Sequence, residues 1–324
     1  MQVPVPSLRA LLTLSMPVAV VVLAVLDRHA VASGVHSVLA ARPGWLLVGL
    51  LGLVAMWVAG TLTQLGVLAV RPPLSLLFAV QVAGSFANSV LPAGAGGLAV
   101  NVRFLRRLGL SREAACASQA LNTSAGAVTH LLLVAVVAAL APHRLLEEAA
   151  TRLAGSTRAL EPWAAPAVVA TAAVVGLGAW LSAHHEHRWL AAARVGTRAM
   201  LAEHRALHRV VRDPVRALQL WPAAMSVPVL HSLVLFAVLR SIGAPLPMRT
   251  VLLTYLLVSA LSAIVPSPGG AGSLDVALVA GLAAAGLSVD SAVAALAAYR
   301  FLTVWLPLVP GACVLGVLVR RGVV

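Results

Sequence analysis

Two hydrophobic stretches of this chain are each interrupted by a cluster of proline and glycine, and these interruptions limit the possible folds more than any other feature. The later break contains Pro266, Pro268, Gly269, Gly270 and Gly272. A uniform helix accommodates such residues poorly. The apolar segment that resumes, residues 274–285, is too short to cross a bilayer, which takes about 20 residues. The pattern predicts a re-entrant hairpin of two half-helices, with its break surrounded by protein or a water-filled cavity.

The earlier break has the same pattern. It follows the apolar run 74–91 and contains Pro92, Gly94, Gly96 and Gly97. A short segment after each break leads to the tripeptide Gly-Leu-Ser, which ends at Ser111 in one copy and at Ser288 in the other. Each serine is a predicted helix N-cap, and an acidic residue follows two positions later, where the helix dipole favours it. The similarity of the two stretches predicts an internal duplication.

The composition is that of a polytopic membrane protein built from α-helices. Of the 324 residues, 60% are hydrophobic and only 10% are charged, and the mean hydropathy is +0.97. Soluble proteins carry about 25% charged residues. The net charge of +13 is the difference between 23 arginines, with no lysine, and 10 acidic residues. In a membrane protein it does not indicate binding to nucleic acid. The two cysteines give no disulfide signal, because both lie in apolar runs.

About eight membrane segments are predicted within a single domain, residues 1–324. Two are the re-entrant hairpins, and six are full spans at residues 8–26, 44–70, 113–141, 163–183, 220–239 and 291–319. Residues 30–32 resemble a signal-peptidase site, but charged residues separate them from the apolar run, so we expect the first span to be retained.

The distribution of arginine predicts the orientation of the chain. The basic loop 184–216 is placed in the cytoplasm by the positive-inside rule, which puts 15 arginines inside and 7 outside. Both termini are then cytoplasmic in a multi-pass protein of the cell membrane. The two hairpins enter from opposite sides, so residues about 44–141 and 217–319, joined by the basic loop, are predicted to form an inverted repeat.

The basic loop has a helical pattern of its own. On a helix, six of its arginines fall within one sector: Arg194, Arg198, Arg205, Arg209, Arg212 and Arg216. This pattern is typical of an amphipathic helix on the membrane surface, with the arginines near anionic head groups. The alternative is a solvated loop whose arginines only set the topology, and the two interpretations are compatible.

Several short motifs resemble the membrane domain of the lysylphosphatidylglycerol synthase family, also called flippase-like integral membrane proteins. The later motif reads PSPGGAGSLDVAL over residues 266–278, and YRFLT follows at residues 299–303. The family usually has Glu where this chain has Asp275. The earlier motif comprises NSVLP at residues 88–92 and RFLRR at residues 103–107. The family often carries a Glu after the early glycine turn, whereas this chain has Leu98 in that region.

The resemblance implies translocation of a lipid with a charged head group across the bilayer. The substrate classes it implies are aminoacylated phospholipids and polyprenyl-phosphate-linked sugars. Full-length synthases of the family add a soluble domain that transfers an amino acid from tRNA. Since no such domain follows Arg321 in this sequence, we expect no lipid aminoacylation by this chain alone. No catalytic motif is found, so we expect no enzymatic activity and no cofactor. We expect anionic membrane lipids as partners and no nucleic acid.

Two alternatives to lipid transport remain open. One is a small-solute secondary transporter on the same inverted-repeat plan. The other is a non-transporting partner that docks a separate lipid-modifying enzyme through the 184–216 loop. A lateral opening toward lipid favours the flippase, a sealed water-filled site favours the solute transporter, and a solid core favours the docking partner. The oligomeric state does not follow from the sequence.

Candidate site residues are polar groups inside predicted spans. Arg300 lies near mid-membrane, where burying a charge is costly and therefore suggests a function. It is a candidate for holding a lipid phosphate, and its alternative role is a structural pair with Asp275. Further cavity candidates are Asn88, Gln119, Asn122 and Thr123, all of which can instead form ordinary interhelical hydrogen bonds.

Histidines are weaker candidates. His184, His185 and His187 surround Glu186, but the spacing is not that of HExxH, so no metal site is predicted. His130 and His231 are expected to be packed or hydrogen-bonded rather than to relay protons.

Overall fold

The computed structural model describes residues 41–68, 70–91, 95–140, 212–244, 246–262 and 273–324. Within these ranges the regular structure is helical throughout. The helices are α1 Pro43–Val67, α2 Leu74–Val90, α3 Ala95–Arg107, α4 Arg112–Leu140, α5 Pro214–Ser241, α6 Met248–Ser262, α7 Ser273–Ala284, α8 Val289–Arg300 and α9 Leu306–Arg320. A π-helical turn, Phe301–Trp305, joins α8 to α9. The predicted spans 8–26 and 163–183, the histidines 184–187 and residues 141–211 of the central region lie outside the described residues.

Four helical stretches are long and apolar enough to cross a membrane: Pro43–Val67, Arg112–Val137, Pro214–Ser241 and Val289–Arg320. They correspond to four of the predicted spans and confirm a multi-pass membrane protein. The first of these helices starts with Pro43 in its first turn, where proline is favoured. The third starts six residues before the predicted position, because Asp213 caps it and Pro214 occupies its first turn.

Helices α2 and α3 form an antiparallel hairpin of two short arms. Asn88 near the end of α2 contacts Gly97 near the start of α3, and Gln81 contacts Asn101 further along both helices. The break is shorter than the sequence predicted, because Gly96 and Gly97 lie in the first turn of α3. A Cβ atom on Gly96 would overlap the backbone of α2, so these glycines permit close packing of the arms. Pro92 and Gly94 lie outside the described residues.

Helices α6 and α7 form the second pair of short arms. They pack side by side, and Gly281 of α7 lies against Thr254 and Val258 of α6. The chain between the arms, residues 263–272, lies outside the described residues. That range contains all five predicted break residues: Pro266, Pro268, Gly269, Gly270 and Gly272.

The two Gly-Leu-Ser turns have the same local structure. Gly109 and Gly286 both adopt positive φ angles, +89° and +106°, which glycine tolerates at a helix C-terminus. The hydroxyl oxygen of Ser288 accepts a hydrogen bond from the backbone N–H of Ser291, and Ser111 does the same for Ala114. Both predicted N-caps are therefore confirmed, and an acidic residue lies in the first turn of each following helix.

Contacts between the helices show which of them are neighbours. Helix α1 packs extensively against α5, α2 packs against α9, and α4 packs against α5 and α6. The two helices α1 and α5 run antiparallel, since Arg42 before α1 bonds to Ser241 at the end of α5, while Leu68 after α1 bonds to Arg216 at the start of α5. The relation of residues about 44–141 to 217–319 as an inverted repeat stays a prediction.

Arginine is concentrated at one end of the described helices. The chain connections between antiparallel helices place Arg71, Arg103, Arg106, Arg107, Arg112, Arg320 and Arg321 at that end. Arg42, Arg240 and Arg249 lie at the opposite end. The two groups are separated as the predicted topology requires, and the assignment of the arginine-rich end to the cytoplasm stays a prediction.

Candidate functional site

A cavity of about 390 Å³, whose largely apolar wall contains several polar side chains, lies among α1, α4, α5 and α6. Its walls are formed by Gly60, Thr63, Asn122, Gly126, His130, Ala224, Val227, Pro228, His231, Tyr255 and Ser259. Binding sites for small molecules have volumes of about 300–1,000 Å³. The lining residues of α4 and α5 come from the middle of these long helices, so the cavity lies at the depth of the membrane interior.

His231 of α5 is held by two tyrosines. Its Nδ1 atom lies 2.8 Å from the hydroxyl oxygen of Tyr299 on α8, and that hydroxyl donates to Tyr255 of α6 over 3.4 Å. The imidazole also stacks on the ring of Tyr255, with the planes 12° apart. Three helices therefore fix the orientation of one ionisable side chain at the wall of the cavity.

His130 of α4 approaches the same cavity from another side. Its Nε2 atom lies 3.2 Å from the carbonyl oxygen of Leu256 and 3.3 Å from the hydroxyl of Ser259. A carbonyl oxygen only accepts hydrogen bonds, so Nε2 of His130 is the donor to Leu256. The hydroxyl of Ser259 donates to the carbonyl oxygen of Tyr255 over 2.6 Å. These bonds connect α4 to α6 along the cavity wall.

Side-chain amides extend the polar part of the wall toward α1. The Nδ2 atom of Asn122 donates to Oε1 of Gln64 over 3.0 Å. The Nε2 atoms of Gln64 and Gln119 are buried and have no hydrogen-bond partner within the described part of the chain. Of the predicted cavity residues on α4, Asn122 lines the cavity and Gln119 is buried, whereas Thr123 is exposed on another face and does not belong to the cavity.

Asn88 lies on the first arm of the first hairpin, as predicted, and away from this cavity. Its Oδ1 atom accepts a hydrogen bond of 2.6 Å from the backbone N–H of Gly97. Asn101 donates to the carbonyl oxygen of Gly97 over 2.9 Å, and Gln81 donates to Asn101 over 3.2 Å. These amides hold the two arms together at the close approach of Gly97. Asn88 is therefore a structural residue of the hairpin and does not line the cavity described here.

Arg300 forms the ion pair with Asp275 that the sequence offered as its alternative role. The Nε atom of Arg300 lies 2.5 Å from Oδ1 of Asp275. Arg300 is buried, with 9% of its surface exposed. Asp275 occupies the first turn of α7, where the helix dipole stabilises a negative charge. The pair joins α7 to α8 directly beside Tyr299, and the π-helical turn begins at the next residue. Such turns are frequent at functional sites.

The predicted arginine stripe does not continue to its last member. Arg194, Arg198, Arg205 and Arg209 lie outside the described residues, and Arg212 is exposed just before α5. Asp213 starts a new helix, so Arg216 belongs to α5 and pairs with Asp213 at 3.0 Å. Desolvation opposes the shift, but hydrogen bonds from Arg216 and Val215 lower the pKa of Asp213 below its usual value. Arg216 also donates to the carbonyl oxygen of Leu68, which connects the ends of α1 and α5.

Sequence reasoning missed the convergence of His130, His231, Tyr255 and Tyr299. It predicted correctly that both histidines are hydrogen-bonded, yet it did not bring them to one cavity. The available signal was the presence of each histidine inside a predicted span, because ionisable residues within membranes mark functional pathways. Which helix faces meet one another cannot be read from a chain in which most residues are apolar.

A family model for the lysylphosphatidylglycerol synthase TM region matches residues 8–311. The chain belongs to this family. The match covers both proline- and glycine-rich motifs as well as Asp275 and Arg300, and it confirms the resemblance that those motifs suggested. Among curated proteins, no sequence matches this chain. In this member of the lysylphosphatidylglycerol synthase TM family, the cavity and the adjacent ion pair are the candidate functional site.

Proposed function

We propose that this protein moves a lipid with a charged head group across the cell membrane. The substrate classes are an aminoacyl-phospholipid or a polyprenyl-phosphate-linked glycolipid. The observation that carries the proposal is the cavity with polar side chains at mid-depth between helices long enough to cross a bilayer. A head group that crosses the hydrocarbon core needs polar partners at that depth, because each unsatisfied polar group there costs several kcal/mol.

The chemistry of the cavity suits a phosphate oxygen. Its described lining offers hydrogen-bond donors from the amide of Asn122 and the hydroxyl of Tyr255, and none of the lining residues is acidic. The unpartnered amide of Gln64 lies one helical position beyond the lining residue Thr63. Because phosphate oxygens only accept hydrogen bonds, these donors in a wall without acidic residues favour a phosphate-bearing head group.

A lipid also needs contact with the acyl region while its head group crosses. Helix α4 supplies polar cavity residues such as His130, and the neighbouring Leu131 and Leu132 are large, apolar and exposed. This combination on one helix favours a lipid, whose head group and chains have opposite polarity. A docking protein without transport does not require a cavity, so the cavity supports transport over that alternative.

The two hairpins support a mechanism of alternating access. Each consists of two short arms between long helices, in the order long, short, short, long within residues 43–140 and again within 214–320. In transporters with inverted repeats, rocking of one repeat against the other exposes a central site to each side in turn. We propose that the hairpins of this protein move in this way around the cavity between α1, α4, α5 and α6.

Photo-crosslinking from inside the cavity tests the proposal. A benzophenone amino acid replaces Val227, which lines the cavity, in full-length protein reconstituted in vesicles of phosphatidylglycerol and phosphatidylethanolamine. Mass spectrometry then identifies the adducts. We expect phospholipid adducts that are enriched in one head group relative to the bulk membrane.

Leu47 provides the matched control. It is exposed on α1, with 57% of its surface accessible, and a probe there should capture lipids in their bulk proportions. The same lipid composition at positions 227 and 47, or a lack of lipid adducts at 227, would contradict the proposed function. Adducts at 227 that contain only a small soluble compound would support a solute transporter instead.

A further inference from the structure

We propose that His231 is a proton-binding site through which this protein couples proton movement to transport. This inference rests on the proposed function for the coupling step, whereas the binding of the proton can be tested separately. The coupled substance is a proton taken from water in the cavity. The carrier is the imidazole ring of His231, which lies at the cavity wall and is only partly buried.

The hydrogen bonds of His231 determine which nitrogen can take the proton. Tyr299 has one hydroxyl proton and donates it to Tyr255. When Tyr299 donates to Tyr255, the 2.8 Å contact between Tyr299 and Nδ1 of His231 is donated by the imidazole, and the neutral ring carries its proton on Nδ1. Its Nε2 atom keeps a lone pair. The structure shows no hydrogen bond to that nitrogen from the described residues, and the ring borders the cavity.

Histidine is suited to this task because its charge changes near physiological pH. Proton uptake at Nε2 converts the neutral ring to imidazolium while the Nδ1–H bond to Tyr299 is kept. No bond within the protein needs to break for the proton to enter. The neutral oxygen of Tyr299 then accepts a hydrogen bond from a cation, and such bonds are stronger than those between neutral groups.

Helices α1, α4, α6 and α8 pack against α5, and the last three carry the charged and titratable groups near His231. Helix α1 contributes none within its bounds, α4 contributes His130, and α6 contributes Tyr255. Helix α8 contributes Tyr299 and the neighbouring Arg300, whose charge is paired with Asp275 of α7. A proton on His231 therefore adds a second positive charge close to Arg300.

This proximity supplies a coupling between the proton and the helices. A protonated His231 repels Arg300, and Asp275 is attracted by both cations. Arg300 and Asp275 join α8 to the second hairpin. The free energy of this arrangement of helices therefore changes when His231 gains or loses a proton. A ligand that stabilises one arrangement over another shifts the equilibrium between them. The proton is proposed to act as this ligand.

The first experiment detects the proton itself. Full-length protein with ¹⁵N-labelled histidine rings is placed in lipid nanodiscs, and the signal of His231 is identified by its loss in His231→Gln. We expect an Nδ1–H neutral form that converts to imidazolium as the pH is lowered. In Tyr299→Phe the neutral ring should lose its preference for the Nδ1–H form. A ring that stays neutral at every pH at which the protein stays folded would overturn the proposal.

The second experiment measures coupling in sealed vesicles that contain head-group-labelled phosphatidylglycerol. A single titrating site changes its protonated fraction by at most about tenfold per pH unit, so a one-unit pH gradient should change the initial rate of lipid movement by up to about that factor. In His231→Gln the rate of lipid movement, whatever its value, should not respond to the gradient. Cys313→Ser, at an exposed position on α9, is the control and should respond like the unmodified protein.

The possible outcomes separate this inference from the proposed function. Lipid movement that does not respond to the gradient in the unmodified protein would refute the coupling and leave lipid transport intact. No lipid movement at any pH would contradict the proposed function, and the NMR titration then decides the proton site alone. If His231→Gln does not fold, Tyr299→Phe takes its place in the transport assay. The proposal is supported if this variant has an altered histidine tautomer and its rate of lipid movement responds differently to the pH gradient. It is refuted if the tautomer is altered but the response to the gradient is unchanged.

Discussion

The ion pair between Arg300 and Asp275 gives a quantitative prediction. Two unit charges about 4 Å apart attract by about 4 kcal/mol at an effective dielectric constant of about 20. Removal of one partner from a buried pair typically costs about 3–5 kcal/mol, because the other charge stays buried without compensation. The Arg300 side chain is 11% exposed and that of Asp275 is 24% exposed. The partial exposure of Asp275 therefore places Arg300→Gln at the lower end, about 3 kcal/mol.

Asp275→Asn should lower the free energy of unfolding by more than Arg300→Gln does. Asp275→Asn leaves the more deeply buried charge, that of Arg300, without its carboxylate. The double variant Arg300→Gln with Asp275→Asn removes both charges and should cost no more than the worse single variant. This corresponds to a coupling energy of at least about 3 kcal/mol in the double-mutant cycle, the cost of the milder single variant. The free energy of unfolding is measured by reversible titration of each purified variant from mild detergent into denaturing detergent.

Two results would refute this reasoning. Additive effects of the two substitutions would show that the 2.5 Å contact contributes no specific stabilisation. Lipid movement provides the second readout. If the double variant folds and moves lipid at the normal rate, Arg300 has only a structural role and does not hold a lipid phosphate. Normal stability with lost movement would instead support a functional role of the charge.

Three further predictions concern the hairpins, the helix caps and the topology. Gly96→Ala should lower the thermal stability in detergent, since the new Cβ overlaps the backbone of α2, whereas Gly44→Ala has open space and should leave it unchanged or raise it. Ser288→Ala removes the N-cap of α8 and should cost about 1 kcal/mol in the free energy of unfolding, with an undiminished value counting against the cap. In a cysteine-free background, Arg103→Cys and Arg249→Cys should react with a membrane-impermeant reagent from opposite sides of the membrane, position 249 from outside. Reaction of both from one side would contradict the arrangement of the helices.

Local structure was the most predictable part of this protein. The long apolar runs identified four crossing helices, because a helix that spans a bilayer needs length and few charges. The Gly-Leu-Ser turns identified both N-caps, since the capping hydroxyl and the positive φ of glycine depend only on neighbouring residues. The pair of Arg300 with Asp275 was one of two roles predicted for Arg300, because charges buried in membranes are paired.

Contacts between distant helices were less predictable. Asn88 and Asn122 both looked like cavity residues, yet one holds Gly97 within the first hairpin and the other lines the cavity. Whether such an asparagine lines the cavity or holds a hairpin together depends on which neighbouring helix its side chain faces. Thr123 shows the same limit, because its spacing from Gln119 placed it on the cavity face while the actual packing leaves it exposed. In an almost uniformly apolar helix, hydrophobicity gives little information about which side is inside.

The predicted end of the first break was wrong for a related reason, since α3 already begins at Ala95. Glycine usually suggests an unwound turn, but Gly96 and Gly97 serve as contact points within a helix. Small residues let membrane helices approach closely. Sequence alone does not separate these two uses of glycine, since both favour the absence of a side chain.

Movement of phosphatidylglycerol across the bilayer tests the central claim most directly. Purified full-length protein is reconstituted in vesicles that contain a trace of head-group-labelled phosphatidylglycerol, and a membrane-impermeant quencher reports how much of the label reaches the outer leaflet. We predict that quenching proceeds beyond the outer-leaflet fraction in vesicles with the protein, and that Asn122→Leu in the cavity slows it while Thr123→Leu on the exposed face does not. Quenching that stops at the outer leaflet for every charged-head-group lipid tested, as in protein-free vesicles, would contradict the proposed lipid transport.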